Sequence, residues 1–178
     1  MSDKVVDEEV KEAVKIDVWS DYNCPWCRLG TASLAELAAT ENVDITWHSY
    51  ELRPKGSPPM PEEYRARIEQ GRPRLEQIAR ETYGIELKNQ RLGVDSRPAL
   101  VGAKYAEAQG AGAAYHDRIM RAYWDEARDI ADINELVKIA EEVGLDAEEY
   151  RAALNDPAYE RQVDTDIQTA SNSGITGV

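Results

Sequence analysis

The spacing of apolar residues divides this chain into two kinds of region. Ile16-Asp17-Val18-Trp19-Ser20 reads as a strand. Val43, Ile45 and Trp47 alternate with polar residues, so Val43 to Leu52 reads as a second strand. Between them, Trp26, Leu29, Leu34, Leu37 and Ala38 fall close to a helical period, which predicts a helix from about Pro25 to Thr40. A strand, a helix and a strand in this order make a right-handed parallel unit. Upstream, Val6, Val10 and Val14 recur every four residues among charges, and read as a short amphipathic helix or a loose extension.

Arg53 to Pro61, with four prolines and a glycine, breaks the pattern. From there to about Ser173 the period is helical. Glu62 to Gln70 and Pro73 to Tyr83 read as two helices separated at Gly71-Arg72-Pro73, with Gly84 as a left-handed cap. Pro98 opens a helix to about Gln109, and Ala114 to Ala127 carries a stripe of Tyr115, Ile119 and Tyr123. Asp132 with Glu135 and Asp146 with Glu149 have the capping-box spacing. Asp156-Pro157 starts a last helix with an inner stripe of Tyr159, Val163, Ile167 and Ala170. The divisions are a charged extension (1–15), a strand-helix-strand unit (16–60), a helical block (61–173) and a short return segment (174–178).

Composition narrows the chemistry. Apolar residues make up 42% of the 178, enough for a core, and the net charge of −13 repels nucleic acid and anionic lipid. The sequence has no transmembrane run, and its first fifteen residues lack an apolar secretory core, so a cytoplasmic protein is expected. Nine tyrosines stand against no phenylalanine, a bias the sequence does not explain.

The only two cysteines lie in Cys24-Pro25-Trp26-Cys27, directly after the first strand. Pro25 suits the first turn of a helix, where its missing N–H costs nothing. Cys24 then sits at the helix N-terminus, where unsatisfied N–H groups and the dipole favour an anion and lower a thiol's pKa below about 8.5. Cys24 is the expected nucleophile, and Cys27, one turn on, the resolving thiol. Arg28 adds a nearby positive charge; Trp26, Tyr22 and the residues near Val178 are expected to frame an apolar groove with the helical block as lid. Three other uses of the thiols stay open: a structural disulfide, which would constrain so short a loop very little; a zinc site, for which only the distant His48 and His116 could join; and two inert cysteines. No dinucleotide fingerprint or phosphate-cradling loop appears.

Other titratable residues have plain readings beside functional ones. Asp21 could accept a proton, but Asp three residues before a helix start is also a turn residue or cap. Glu51 could relay a proton to Cys27 or lie exposed at a strand end. His48 and His116 read as surface or satisfied residues, and Glu62-Glu63 and Asp125-Glu126 as solvated faces.

Four segments in order resemble the DsbA-like thioredoxin-fold oxidoreductases, in particular the FrnE subgroup. They are Asp17-Val18-Trp19-Ser20-Asp21 leading into Cys24-Pro25-Trp26-Cys27, Asp95-Ser96-Arg97-Pro98-Ala99-Leu100, Arg121-Ala122-Tyr123-Trp124 leading to Arg128-Asp129-Ile130, and Gly174-Ile175-Thr176-Gly177-Val178. The resemblance implies an α/β fold, a thioredoxin-like unit with a large all-helical insertion. It also implies disulfide exchange with protein or small thiols, with Cys24 attacking and Cys27 resolving. Glutathione is a candidate electron partner, and no bound cofactor or metal is implied. In that family a cis-proline follows the Gly177-Val178 pair, then two strands and a helix. The chain as given is therefore expected to lack those elements: either it is a fragment of a longer protein, or another chain, in a homodimer or a strand-swapped assembly, completes the sheet at the first strand's edge. A kappa-type glutathione transferase or isomerase and a redox-inert binding or chaperone module are the alternative functions; the former usually carries serine at the first thiol position.

Overall fold

The computed structural model describes residues 12–89 and 91–178. Strands β1 (Val14–Ser20) and β2 (Val43–Ser49) pair in parallel, from Val14 opposite Val43 to Ser20 opposite Ser49. Helix α1 (Pro25–Thr40) makes the crossover between them. β1 starts earlier than the sequence suggests, because Val14 belongs to the ladder and not to the extension; Val6 and Val10 lie outside the described residues. β2 ends at Ser49, short of Leu52, because the chain there bends over the turn after β1: the Tyr50 N–H donates to the Ser20 carbonyl, and the Leu52 N–H to the Asp21 carboxylate.

Six helices complete the described chain: α2 (Glu62–Tyr83), α3 (Arg97–Ala108), α4 (Gly112–Trp124), α5 (Ile133–Glu142), α6 (Ala147–Ala153) and α7 (Pro157–Asn172). The expected break at Gly71-Arg72-Pro73 does not occur, and α2 is one helix with Pro73 inside it. Arg72 explains how it carries through. Its guanidinium bonds Glu76 one turn on and the Asn89 carbonyl of the returning chain, bracing the backbone at the proline. Asp132, Asp146 and Asp156 cap α5, α6 and α7 by accepting backbone N–H bonds. The reciprocal half of each capping box is not made: Glu135 pairs with Arg128 and Lys138, and Glu149 accepts from Tyr105.

The core lies in the helical block, where α3 packs between α4 and α7 and touches α6. Tyr115, Ile119 and Tyr123 of α4, Val163 and Ala170 of α7, and Tyr150 of α6 are fully buried. The tyrosine bias finds part of its cause here. Tyr115 donates to the Ala99 carbonyl and pairs with the Tyr150 hydroxyl, and Tyr105 donates to Glu149, so rings that a core could take from phenylalanine also serve as buried polar ties. Gly102 on α3 makes the room; a Cβ there would collide with the Tyr150 hydroxyl and stand 2.6 Å from that of Tyr115.

α7 joins the block to the sheet. Asp166 accepts from the Ser49 N–H at 2.7 Å, pairs with Lys104 of α3 at 2.7 Å and bonds His48. Against the sheet, α1 is less buried than its apolar stripe suggests. Leu29 is sealed, Leu34 and Leu37 are half-buried, and Trp26 and Ala38 are exposed, while Arg28 and Thr31 are buried instead. The inward side of α1 faces α4, where His116 partners Thr31 and the C-cap residue Asp125 partners Arg28.

Candidate active site

The turn from β1 into α1 is built by Asp21. Its carbonyl accepts the Cys24 N–H at 3.0 Å, and its carboxylate accepts the N–H of Asn23 at 3.0 Å and of Leu52 at 2.7 Å. The residue is fully buried, and burial raises its carboxyl above the ordinary range against the hydrogen bonds from Asn23, Ser96 and Leu52. Asp21 therefore fixes the turn that carries the thiols, and its charge acts on Cys24. Two further ties hold the turn to the helical block: the Asn23 amide donates to the Val94 carbonyl at 2.7 Å, and the Trp124 indole to the Tyr22 carbonyl at 2.9 Å.

Cys24 is the N-cap residue of α1, in extended backbone conformation, with Pro25 in the first helical turn. The Cys27 and Arg28 N–H groups donate to the Cys24 carbonyl. Both cysteines are free thiols. The Cys24 pKa is lowered to about 7. The largest cause is a hydrogen bond from the Cys27 thiol; burial opposes it, the backbone N–H groups of Cys27 and Trp26 add to it, and the Asp21 charge works against it. The helix end thus helps, but the partner sulfur does more. Cys27 is shifted the other way, well above the ordinary thiol range, because it holds its proton for Cys24 and is itself buried. One thiol is shifted toward its anion while the other is shifted toward keeping its proton, a division of labour suited to attack followed by resolution.

Cys24 is only 7% exposed, and its access runs through a cleft of about 630 Å³. Pro25 and Trp26 line the cleft with Cys24, and Trp26 is 55% exposed at its mouth. The opposite wall is α2, with Tyr64, Ile68 and Leu75, and Trp124 contributes from α4. These α2 residues are absent from the sequence expectation. Their spacing of four and then seven residues along one helix face was the available signal.

Several expected positions lie elsewhere. Tyr22 does not frame the groove: it is 1% exposed, its ring against His116, because its side chain turns inward from the strand end. Arg28 does not offer charge to Cys24, since its guanidinium is buried and held by both oxygens of Asp125, at 3.1 and 2.7 Å. Gly177 and Val178 are not among the cleft-lining residues, and Val178 is exposed. Glu51 is not exposed at a strand end; its side chain is buried against Arg97 at 2.9 Å, burial raising its pKa and Arg97 opposing that. Asp125, read as part of a solvated face, is the partner of Arg28. Both histidines have partners: His116 stacks on Trp47 and bonds Thr31, and burial lowers its pKa to about 3; His48 lies between Asp17 and Asp166. Among the described residues no group of three or more His, Cys, Asp or Glu side chains could hold a metal ion, and no helix is long and apolar enough to cross a membrane.

A strand-helix-strand unit with a Cys-x-x-Cys pair at its helix start and a helical block after it defines a thioredoxin-like fold of the DsbA kind. The chain belongs to the DSBA-like thioredoxin domain family, which it matches over residues 15–178. The uncharacterized protein YwbO of Bacillus subtilis is 33% identical over 152 residues, covering 83% of this chain and 74% of that protein. A probable DsbA oxidoreductase of Streptomyces coelicolor, known from a crystal structure, is 28% identical with a TM-score of 0.80, covering 92% of this chain and 77% of that one. The cytosolic disulfide reductase DsbM of Pseudomonas aeruginosa is 21% identical with a TM-score of 0.70, covering 92% and 82%, and shares the fold.

Proposed function

We propose that this protein is a thiol–disulfide oxidoreductase acting on protein or small-molecule disulfides, with Cys24 as nucleophile and Cys27 as resolving thiol. The Cys24 thiolate attacks one sulfur of a substrate disulfide; an S–S bond forms to Cys24, and the substrate's own S–S bond breaks, releasing a thiolate that takes up a proton. Cys27 then loses its proton and attacks Cys24 in the mixed disulfide. The second substrate thiol leaves and the Cys24–Cys27 disulfide closes. Two electrons pass to the substrate, and the reverse sequence oxidises a dithiol. No bound cofactor is needed, since the sulfur pair itself stores the electrons. The observation that carries this reading is geometric: a thiol at a helix start, at the edge of a cleft, with its partner sulfur one turn away and lowering its pKa. The four segments in order favour the FrnE subgroup, and the cytosolic disulfide reductase DsbM, which shares the fold, favours the cytoplasm, where glutathione is a suitable electron partner.

Insulin reduction tests the reading. The wild-type protein is expected to accelerate it, Cys24→Ser to lose that activity, and Cys27→Ser to accumulate a mixed disulfide visible as added mass under non-reducing conditions. Equal rates for wild type and Cys24→Ser would refute it.

A further inference from the structure

The cleft beside Cys24 carries a charge opposite to that of the chain. Its lining holds three arginines, Arg53, Arg67 and Arg72, against one acid, Glu76, on a chain of net charge −13. Arg72 and Glu76 neutralise each other in an ion pair. Arg53 donates to the Pro58 carbonyl, a neutral acceptor that aims the guanidinium without cancelling its charge. Arg67 is exposed on α2, and its guanidinium has no ion pair or hydrogen bond among the described residues. Two uncompensated cations therefore face a cleft whose remaining surface is mostly apolar, including Trp26, Leu52, Met60, Ile68 and Leu92.

We propose, on the basis of the exchange reaction above, that this cleft selects protein disulfides whose cysteine is flanked by an apolar and an acidic side chain, with Arg53 and Arg67 reading the carboxylate. The chain's overall negative charge repels such a segment at a distance. Within about 8 Å, the screening length at physiological salt, the local pair of guanidiniums decides the sign. The apolar wall decides the second half of the choice. A small hydrophilic thiol has a carboxylate to offer but no apolar side chain to remove from water, whereas a cleft of about 630 Å³ has room for side chains on both sides of a cysteine.

The test is single-turnover oxidation of the reduced protein by disulfide-linked homodimers of a short peptide, acid-quenched and followed by mass. One peptide has Leu before its cysteine and Glu after it; the others replace Glu by Gln or Lys, or Leu by Ser, and oxidised glutathione is the small-molecule comparison. The Glu peptide is expected to react about tenfold faster than the Lys peptide at low ionic strength, and about twofold faster in about 0.5 M salt. Replacing Leu by Ser is expected to slow the reaction several-fold. The Glu preference should vanish in the double variant Arg53→Gln/Arg67→Gln and persist in Arg53→Lys/Arg67→Lys, which keeps the charge and guards against a folding artefact. A wild type indifferent to the flanking charge, a preference surviving the glutamine variant, or oxidised glutathione outrunning the Glu peptide would each overturn the selectivity while leaving the exchange chemistry intact. No reaction with any of these disulfides would overturn both.

Discussion

Removing the Cys27 sulfur should change Cys24 in two opposite ways. In Cys27→Ala the hydrogen bond that does most to lower the Cys24 pKa is gone, while the burial that raises it stays. A return from about 7 to the reference value of 9.0 for this thiol is two pH units, and the burial that remains pushes in the same direction. At pH 7 the thiolate fraction would then fall from about a half to about 1%, roughly 50-fold. A more basic thiolate is a better nucleophile. With a Brønsted coefficient of about 0.45, two pH units return a factor of about eight, leaving a net loss of roughly sixfold at pH 7. Above pH 9 the order reverses, and the variant should react up to about eightfold faster; the two profiles cross near pH 8 by the same arithmetic, to within about half a unit. Iodoacetamide alkylation of Cys24 as a function of pH, read by peptide mass, measures both curves. Cys27→Ser, which keeps an O–H donor in place, should fall between them. Should the alanine variant keep an inflection near 7, the backbone N–H groups of the helix start would account for the shift, and the partner sulfur would not.

Two further outcomes follow from the packing. Arg28→Met leaves the Asp125 carboxylate without its partner; because that side chain is about a quarter exposed, the cost is about 2–3 kcal/mol and not the full penalty of a sealed charge, and chemical denaturation should show it with the Cys24 alkylation inflection unmoved. Gly102→Ala drives a methyl into the Tyr150 and Tyr115 hydroxyls and should destabilise the fold by about 1–3 kcal/mol, a thermal midpoint lower by roughly 2–12 °C; on a Tyr150→Phe background, where the nearest oxygen is absent, the same change should cost less.

What could be read ahead of the structure was local. Cys24, Pro25 and Cys27 define their own turn within one helical start, and the stripes of α4 and α7 follow from a period that needs no knowledge of partners. What escaped was set by residues distant along the chain. Arg28 looks like a free charge until Asp125, 97 residues on, closes around it. Glu51 looks exposed until Arg97 covers it. Pro73 looks like a helix end until Arg72 finds the Asn89 carbonyl. The same limit applied to the thiol itself: a helix start was visible in the sequence, but the weight of the Cys27 hydrogen bond against burial and the Asp21 charge required the three groups in space.

The tie between the Trp124 indole and the Tyr22 carbonyl bears on biosynthesis. Tyr22 and Trp124 are 102 residues apart, and the Leu52 and Val94 bonds to the same turn reach back 31 and 71 residues. A ribosome making this chain delivers both sulfurs early and their scaffolding late. Until Trp124 has emerged, the turn that presents Cys24 lacks its tie to the helices, so the thiol pair is translated well before the walls of the cleft around it.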